Sequence, residues 1–317
     1  MRAVRSDGEG GVAVVDVEAH PPHYATDPVR VRMTSASICG SDLHLLPWNL
    51  QATLGHEFAG VLDDGTAVAV QPNAPCGVCE YCTTGRDHLC QASADRVLGI
   101  FADGGLADDV IVDRSDLLPL PPGLGADVGA LVEPCAVALH AVHLSGIHGD
   151  APPERTLGIG AGSIGLAVVA MARAHGAAID LMARHPAQQA AGERLGAGFA
   201  LADSYDVVID SAGSQSSLDE AIQRVRPGGT VVVPATWFDP VQLGVALAMK
   251  EAHLVPSYLY AHHHGVREFQ EAAELLAENS DIADAIVTHR FGLDDAPEAF
   301  RVAADRAGGT IKVVIQP

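Results

Sequence analysis

The sequence predicts an α/β protein built from a β-rich unit and a doubly wound parallel-sheet unit. Three observations carry this expectation. Residues 1 to about 135 read as short apolar or alternating strands punctuated by Gly, Pro and Asp. From Thr156 the texture becomes strand, helix, strand, helix, the rhythm of a parallel sheet with helices on both faces. A Gly160-Ala-Gly162-Ser163-Ile164-Gly165 run lies where the first of those strands gives way to its helix.

In the first part, VAVVDV, VRVRMTSAS, FAGVL, TAVAVQP and DDVIVD are the strand-like runs. The stiff segment PLPPG at 119–123 breaks the pattern, and ADVGALVEPCAVALHAVHLSG then reads as helical. TLGIG is a strand entering the glycine loop, and SIGLAVVAMARAHG is an apolar helix stopped at Gly176. AAIDLMA, YDVVIDSAG and TVVVPA are the next strands, with PAQQAAGERLGA and SLDEAIQRVRPGG as the helices between them. After residue 260 come the helices GVREFQEAAELLAENS and APEAFRVAADR and a closing strand, IKVVIQP. The triplet His262–His264 between these regions reads as a solvated turn.

Composition narrows the function classes. At ~100–200 residues per domain, 317 residues suggest two domains. With 48% hydrophobic and 4% aromatic residues, the cores must be mostly Val, Leu, Ile and Ala. A net charge of −21 argues against nucleic acid or an anionic membrane as partner, since both would repel the chain. Of the 19 basic residues only Lys250 and Lys312 are lysine. No apolar run is long enough to cross a bilayer, and the start MRAVRSDGEGG lacks a signal-peptide pattern. The expected location is cytoplasmic, where thiols stay reduced. Six cysteines there point to metal or catalysis rather than to disulfides.

Cys76, Cys79, Cys82 and Cys90 are the strongest signal. Two CxxC steps place three thiolates in one loop, and a fourth returns after seven residues. Four thiolates match the tetrahedral preference of zinc with no open position, hence a structural site. A redox CxxC would bring two cysteines to a helix start, and a nucleic-acid zinc ribbon would need a basic surround that Glu80 and Asp87 do not supply. Cys39 in SICGSDLH, with His56 and Glu57 in LGHE, is the mixed set of a catalytic zinc that keeps one position open. Glu133 in LVEPCAVALH is a candidate third or exchanging ligand. Taken singly, each has a bland reading: a buried Cys, a capping Asp42, a hydrogen-bonded His56.

Gly160, Gly162 and Gly165 would let the backbone approach a pyrophosphate, with Ser163 and Ile164 opening a helix whose N-terminus favours its charge. At the end of the next strand the ribose-binding acid of such sites is replaced by Ala183, followed by Arg184 and His185. Arginine suits a 2′-phosphate by charge and fork geometry, so NADP is expected over NAD. The alternative is that Asp180 is the acid, Arg184 a surface residue, and NAD the cofactor.

Cys39–His44, Gly55-His56-Glu57, the four-cysteine loop and the glycine loop, in this order, resemble the zinc-dependent medium-chain alcohol dehydrogenases. Glu133-Pro134 brings the polyol (sorbitol) and threonine dehydrogenase branch nearest, and VTHRFGLDDAPEAF and IKVVIQP extend the likeness over nearly the whole chain. The resemblance implies a GroES-like catalytic domain, residues 1–135 and 262–317, around a Rossmann dinucleotide-binding domain, residues 136–261. It implies two zinc ions per chain, NADP or NAD, a small-molecule alcohol or ketone substrate, and a homodimer or homotetramer. It also implies that Ser41 touches the reacting alcohol and His44 passes its proton toward solvent, with Glu57 beside them. Two departures stand out. Only 16 residues separate Cys39 from His56, and GVLDDGTAVAVQP is cut where a hairpin normally stands. Both trims lie near the substrate side of the zinc, so the substrate is left unnamed. A non-catalytic nucleotide-binding descendant is the competing reading.

Overall fold

Arg2–Ser6 (β1) and Val12–Asp16 (β2) form an antiparallel ribbon at the start of the chain. Pro28–Ser37 (β3) is the long strand on which the first unit is built. Its alternation explains its role: Val31 and Met33 face the core while Arg30 and Arg32 point outward. A short helix, Gly40–Leu45 (α1), follows directly. Glu57–Val61 (β4) returns antiparallel to β3, Ala67–Val70 (β5) pairs with β4, and the short helix Glu80–Thr83 (α2) sits inside the cysteine loop. Asp109–Asp113 (β6) pairs with the first half of β3 and Leu117–Pro119 (β7) with β5. Val132–Leu144 (α3) is apolar nearly all round and almost wholly buried, as a helix of that composition must be.

The parallel sheet contains Thr156–Ile159 (β8), Ile179–Met182 (β9), Tyr205–Asp210 (β10), Val225–Val233 (β11) and His253–Pro256 (β12), in the order β12-β11-β10-β8-β9. Ser163–Ala174 (α4), Pro186–Arg194 (α5), Gln215–Arg224 (α6) and Val245–Met249 (α7) lie between the strands. Lys250 donates to the carbonyls of Ile222, Gln223 and Val225 at 2.9, 2.6 and 2.7 Å, capping the open end of α6.

The chain then returns through a small hairpin, His262–His263 (β13) and Val266–Arg267 (β14), and the helix Glu268–Glu278 (α8). Asp281–Ile286 (α9), Val287–Gly292 (β15), Ala296–Ala304 (α10) and Lys312–Gln316 (β16) complete it. Strand β16 pairs parallel with β15 and antiparallel with β3, giving a seven-stranded sheet of order β15-β16-β3-β4-β5-β7 with β6 also on β3.

This computed structural model describes residues 1–148 and 153–317. Two units emerge: Met1–Glu133 with Ala261–Glu278 and Val287–Pro317, and Pro134–Tyr260 with Asn279–Ile286. The expected boundaries at 135 and 262 therefore differ by one or two residues, and one segment changes sides. Helix α9 buries Ile282, Ala285 and Ile286 and packs on α4 and α5, with Arg194 donating to the Asp284 carbonyl. The His triplet is also not a plain solvated turn. His262 and His263 are half-buried, His262 N–H donates to the Gly85 carbonyl, and its ring faces Asp87 at 3.4 Å, so the hairpin is fastened to the cysteine loop. Both cores are aliphatic; Phe58 and Phe300 are the phenylalanines buried in the first.

One buried acid makes stability depend on pH. Asp116 accepts from the Tyr24 hydroxyl at 3.3 Å; burial, then the charge of Asp113, push its carboxyl up to about 7. A folded-state value above the unfolded one means that the folded chain holds this proton more tightly. The associated stability is present below the ordinary carboxylate range and is lost as pH rises through about 7. Asp116→Asn should flatten the fall of Tm between roughly pH 5 and 8. An unchanged slope in thermal melts would show that this carboxyl does not titrate there.

Candidate active site

The first cluster is assembled from three neighbouring strands and one helix start. In the register of the sheet Ser37 lies opposite Glu57 on β3 and β4, and Val314 of β16 lies on the other side of Ser37. Cys39 follows two residues later as the N-cap of α1. Ligand atoms of Cys39, His56 and Glu57 lie within 4.8 Å of one another. His56 and Glu57 are buried and Cys39 is partly so.

Glycines make the approach of His56 feasible. Gly55 has φ +95° and Gly99 φ +81°, and a Cβ on Gly99 would lie 2.5 Å from the Gly55 carbonyl and 2.8 Å from His56 N. The 99–106 segment thus presses directly on the backbone that carries the imidazole. Gly104, Gly105 and Leu106 N–H groups donate to Thr53, Gly55 and Leu54, closing the contact.

Asp42 does more than cap α1. Its Oδ2 accepts from Cys39 N–H at 2.9 Å, while Oδ1 faces His56 Nδ1 at 3.1 Å. That leaves Nε2 as the ring nitrogen directed at a ligand, with Ser41 Oγ 3.2 Å away. Burial opposes a charged imidazole, but the Asp42 carboxylate and the Cys39 thiolate overcome it and hold His56 well above its ordinary range. The pocket therefore favours added positive charge. His44 stands three residues after Ser41 on α1, at the exposed side of the helix.

Two buried carboxylates follow, Glu57 inside the cluster and Glu133 coupled to it by charge. Glu57 takes both oxygens to Lys312, whose Nζ lies 2.9 and 2.6 Å from Oε1 and Oε2 and 3.2 Å from the Ile38 carbonyl. Ser37 Oγ donates to Glu57 Oε2 as well. Burial alone would strip the ammonium of its proton, but Glu57 and Cys39 reverse this and raise its pKa. Glu133 opens α3, held there by Ser35, which donates to the Ala126 carbonyl and accepts from Ala130 N–H. Burial, then the charge of Glu57, push Glu133 up to about 8. Lys312 and Ser37 are the members of this cluster that sequence reasoning missed. The scarcity of lysine, two among 19 basic residues, was the available signal.

The four-cysteine loop forms a second cluster. Cys79 caps α2, Cys82 lies within it, and all four sulfurs fall within 4.8 Å of one another. The Cys79–Cys82 and Cys76–Cys82 sulfurs are 3.5 and 3.9 Å apart, and Cys76 N–H donates to Cys90 Sγ at 3.4 Å. Tetrahedral ligands at about 2.3 Å from zinc would sit roughly 3.8 Å apart. Backbone N–H groups of Val78 and Cys79 bring the Cys76 thiol down to about 6, whereas burial pushes Cys82 up to about 12. Only a cation would let all four ionise together.

In the second unit Gly160 has φ +88°, and Gly165 packs so tightly on the Gly160 carbonyl that no Cβ would fit. Gly162 is the N-cap of α4, with Ser163 and Ile164 in a first turn free of acidic residues. Such a cradle suits a pyrophosphate. Ala183, Arg184 and His185 leave the end of β9: Ala183 is half-buried, Arg184 exposed, and His185 caps α5. Asp180 lies within β9 and accepts from the Tyr205 hydroxyl at 2.8 Å.

Comparison with known proteins gives the family. The family model "Alcohol dehydrogenase GroES-like domain" matches residues 25–122, and "Glucose dehydrogenase C-terminus" matches residues 126–316. The chain belongs to the zinc-dependent medium-chain alcohol dehydrogenases. This dehydrogenase is 29% identical over 305 residues to L-galactonate-5-dehydrogenase of Escherichia coli K12, covering 85% of this chain and 86% of that one. It is 28% identical over 350 residues to galactitol 1-phosphate 5-dehydrogenase of the same strain, covering 97% of each. That alignment is longer than the 317 residues of this chain, so the relative carries residues that have no counterpart here. A zinc-binding dehydrogenase from Sinorhizobium meliloti 1021, solved bound to NADP, superposes with a TM-score of 0.85 at 29% identity, covering 100% of this chain and 99% of that one.

Metal analysis of this dehydrogenase should find two zinc ions per chain. Cys79→Ser should remove one and lower Tm, because a structural zinc contributes folding energy directly. Asp42→Asn keeps the backbone cap but loses the acceptor facing His56. It should weaken the other zinc by about 10–100-fold in chelator competition, with thermal stability largely kept. Unchanged zinc retention in Asp42→Asn would show that Asp42 is only a cap.

Proposed function

We propose that this protein transfers a hydride between a secondary alcohol or polyol and a nicotinamide cofactor, with NADP preferred. The observation that carries the reading is the convergence of Cys39, His56 and Ser41 around one point rimmed by buried acids, in a chain that also carries the glycine cradle. Cys39, His56 and a buried glutamate would hold a zinc ion, which when bound supplies Lewis-acid polarisation of a substrate oxygen. Ser41 Oγ accepts the proton of the substrate hydroxyl, and His44, on the exposed side of α1, relays it to solvent. Asp42 keeps the His56 ring in one tautomer. The four cysteines hold a second, structural zinc. Gly160, Gly162 and Gly165 admit the pyrophosphate, and the first turn of α4 with Ser163 and Ile164 stabilises its charge.

Two observations support NADP. Asp180 lies within β9, short of its end, and one of its oxygens already accepts from the Tyr205 hydroxyl. Arg184 is exposed just beyond β9, beside Ala183 and His185, where a 2′-phosphate could be met. A background of −21 makes such a local cation necessary. The polyol class is supported by the two Escherichia coli relatives, named for oxidation of sugar-derived alcohols. We further read the active form as a homodimer or homotetramer in the cytoplasm, which light scattering on purified and freshly lysed material would test.

Initial rates with NADP and NAD against a panel of polyols and secondary alcohols are the direct test. Higher kcat/KM with NAD would return the ribose to an acid near β9 and make Arg184 a surface residue. No turnover with either cofactor, despite cofactor binding, would favour the non-catalytic reading. Arg184→Ala should weaken NADP binding by about 2–3 kcal/mol and leave NAD nearly unchanged by calorimetry. Ser41→Ala should lower kcat by about 10²–10⁴-fold with cofactor affinity retained. Full activity in Ser41→Ala would remove this hydroxyl from the proton path.

A further inference from the structure

Between Cys39 and Ser41 the chain carries Gly40, and the space over its backbone is taken by Arg306. A Cβ added to Gly40 would meet a guanidinium nitrogen of Arg306 at 3.2 Å as its nearest neighbour. Gly40 has no positive φ, so backbone conformation does not call for glycine here. The missing side chain is what lets the guanidinium come down between Cys39 and Ser41.

The stem of this arginine is fixed. Helix α10 packs beside α1, and a tight turn follows it. Asp305 N–H donates to the Val302 carbonyl at 3.0 Å, Gly308 N–H to Asp305 Oδ1 at 2.9 Å, and Gly309 N–H to the Arg306 carbonyl at 3.4 Å. Its charge, in contrast, is not neutralised. Among the described residues no hydrogen bond or ion pair engages the Arg306 guanidinium. Acids on the elements around it are committed elsewhere: Asp42 to Cys39 N–H and His56, Glu298 to Arg301, Asp305 to Gly308 N–H. The chain has 40 acids for 19 Lys+Arg, and Arg2, Arg5, Arg30, Arg114, Arg226 and Arg301 each pair with a carboxylate at 3.4 Å or less. An arginine that merely keeps the surface wet needs no cleared backbone beneath it. Arg306 is exposed, unpaired and nevertheless seated on a glycine between two residues of the reaction site.

We propose that Arg306 is an oxyanion-binding residue of the reaction site, taking a phosphate or carboxylate group that arrives beside Ser41 on the cofactor or on the substrate. The planar fork suits both groups by paired hydrogen bonds. A net charge of −21 repels any anionic ligand, so a local cation is needed to receive one. The dehydrogenase reading supplies the two sources: the pyrophosphate common to NAD and NADP, or an anionic group on a polyol. This role differs from that of Arg184, which answers to the 2′-phosphate alone.

Calorimetry on the zinc-loaded protein reads binding without turnover. The probes are NAD, NADP, a hexitol phosphate and a hexonate, with the neutral hexitol as control. If the oxyanion comes with the cofactor, Arg306→Gln should weaken NAD and NADP alike by about 10–100-fold, whereas Arg184→Ala weakens NADP alone. If it comes with the substrate, the hexitol phosphate or the hexonate should lose that factor and both nucleotides should keep their Kd. The neutral hexitol should bind as before in either case. Arg306→Lys keeps the charge without the fork, so its losses should fall between those of the wild type and Arg306→Gln. Tm should stay near the wild-type value, because the side chain is exposed. Unchanged Kd in Arg306→Gln for every charged probe that the wild type binds overturns the proposal. So does an equal loss for the neutral hexitol together with a fall in Tm, which would make Arg306 structural. A wild type that shows this Arg306-dependent binding but no turnover would instead overturn the dehydrogenase reading and leave the oxyanion site standing.

Discussion

A buried ammonium needs a buried anion, and the pairing of Lys312 with Glu57 ties the catalytic unit together. Lys312 begins the last strand of the chain, Glu57 begins β4, and β3 lies between them. The pair therefore joins residues 255 positions apart across three strands. Until β16 docks, Glu57 lacks its counter-charge, and the cluster around Cys39 would hold only acids and an imidazole. Removing one partner from a buried pair typically costs about 3–5 kcal/mol, so completion of the sheet and completion of the site are one event. This gives a physical reason for the C-terminal segment to fold back onto the N-terminal unit.

Backbone shape then refines what charge has assembled. His56 stands on a turn that a second glycine segment presses from outside, with positive φ at both Gly55 and Gly99. Asp42 joins the N-cap of α1 to the imidazole through its two oxygens, so the helix that presents Ser41 and the ring it faces are aligned by one side chain. The short segment between Cys39 and His56 packs closely, its Leu54 N–H donating to Val4. Trp48 remains 65% exposed on it and Phe101 56% exposed on the facing glycine segment. Neither is a core residue.

Acidity is distributed with purpose. The first unit concentrates Cys39, Asp42, Glu57 and Glu133 against a single buried lysine, which raises the pKa of every basic group among them. In the second unit the glycine cradle opens onto a helix turn with no acid in it, and Arg184 stands beyond β9. The same chain thus offers one pocket to a cation and another to an anion despite its net charge of −21. Local arrangement, not the overall sum, decides what each pocket attracts.

The parts of this protein visible in one dimension are those whose chemistry depends on short spacing. CxxC steps, the glycine run at 160–165, LGHE and the strand–helix rhythm each lie within one turn or one βα unit, so residue types and intervals sufficed for them. The bland reading of Asp42 was half right for the same reason: its capping bond spans three residues, while its contact with His56 spans fourteen and needs the fold. Lys312 lay beyond sequence reasoning because its partner is separated by most of the chain. Helix α9 changed units because an apolar face does not state which neighbour it will meet. His262 turned out to be fastened to the cysteine loop, since a histidine triplet carries no periodicity that reports docking. Local residues and spacing determined which cysteine clusters, loops and strands exist; only the tertiary structure decided which distant charges neutralise one another, because burial creates that requirement and burial is a property of the folded chain.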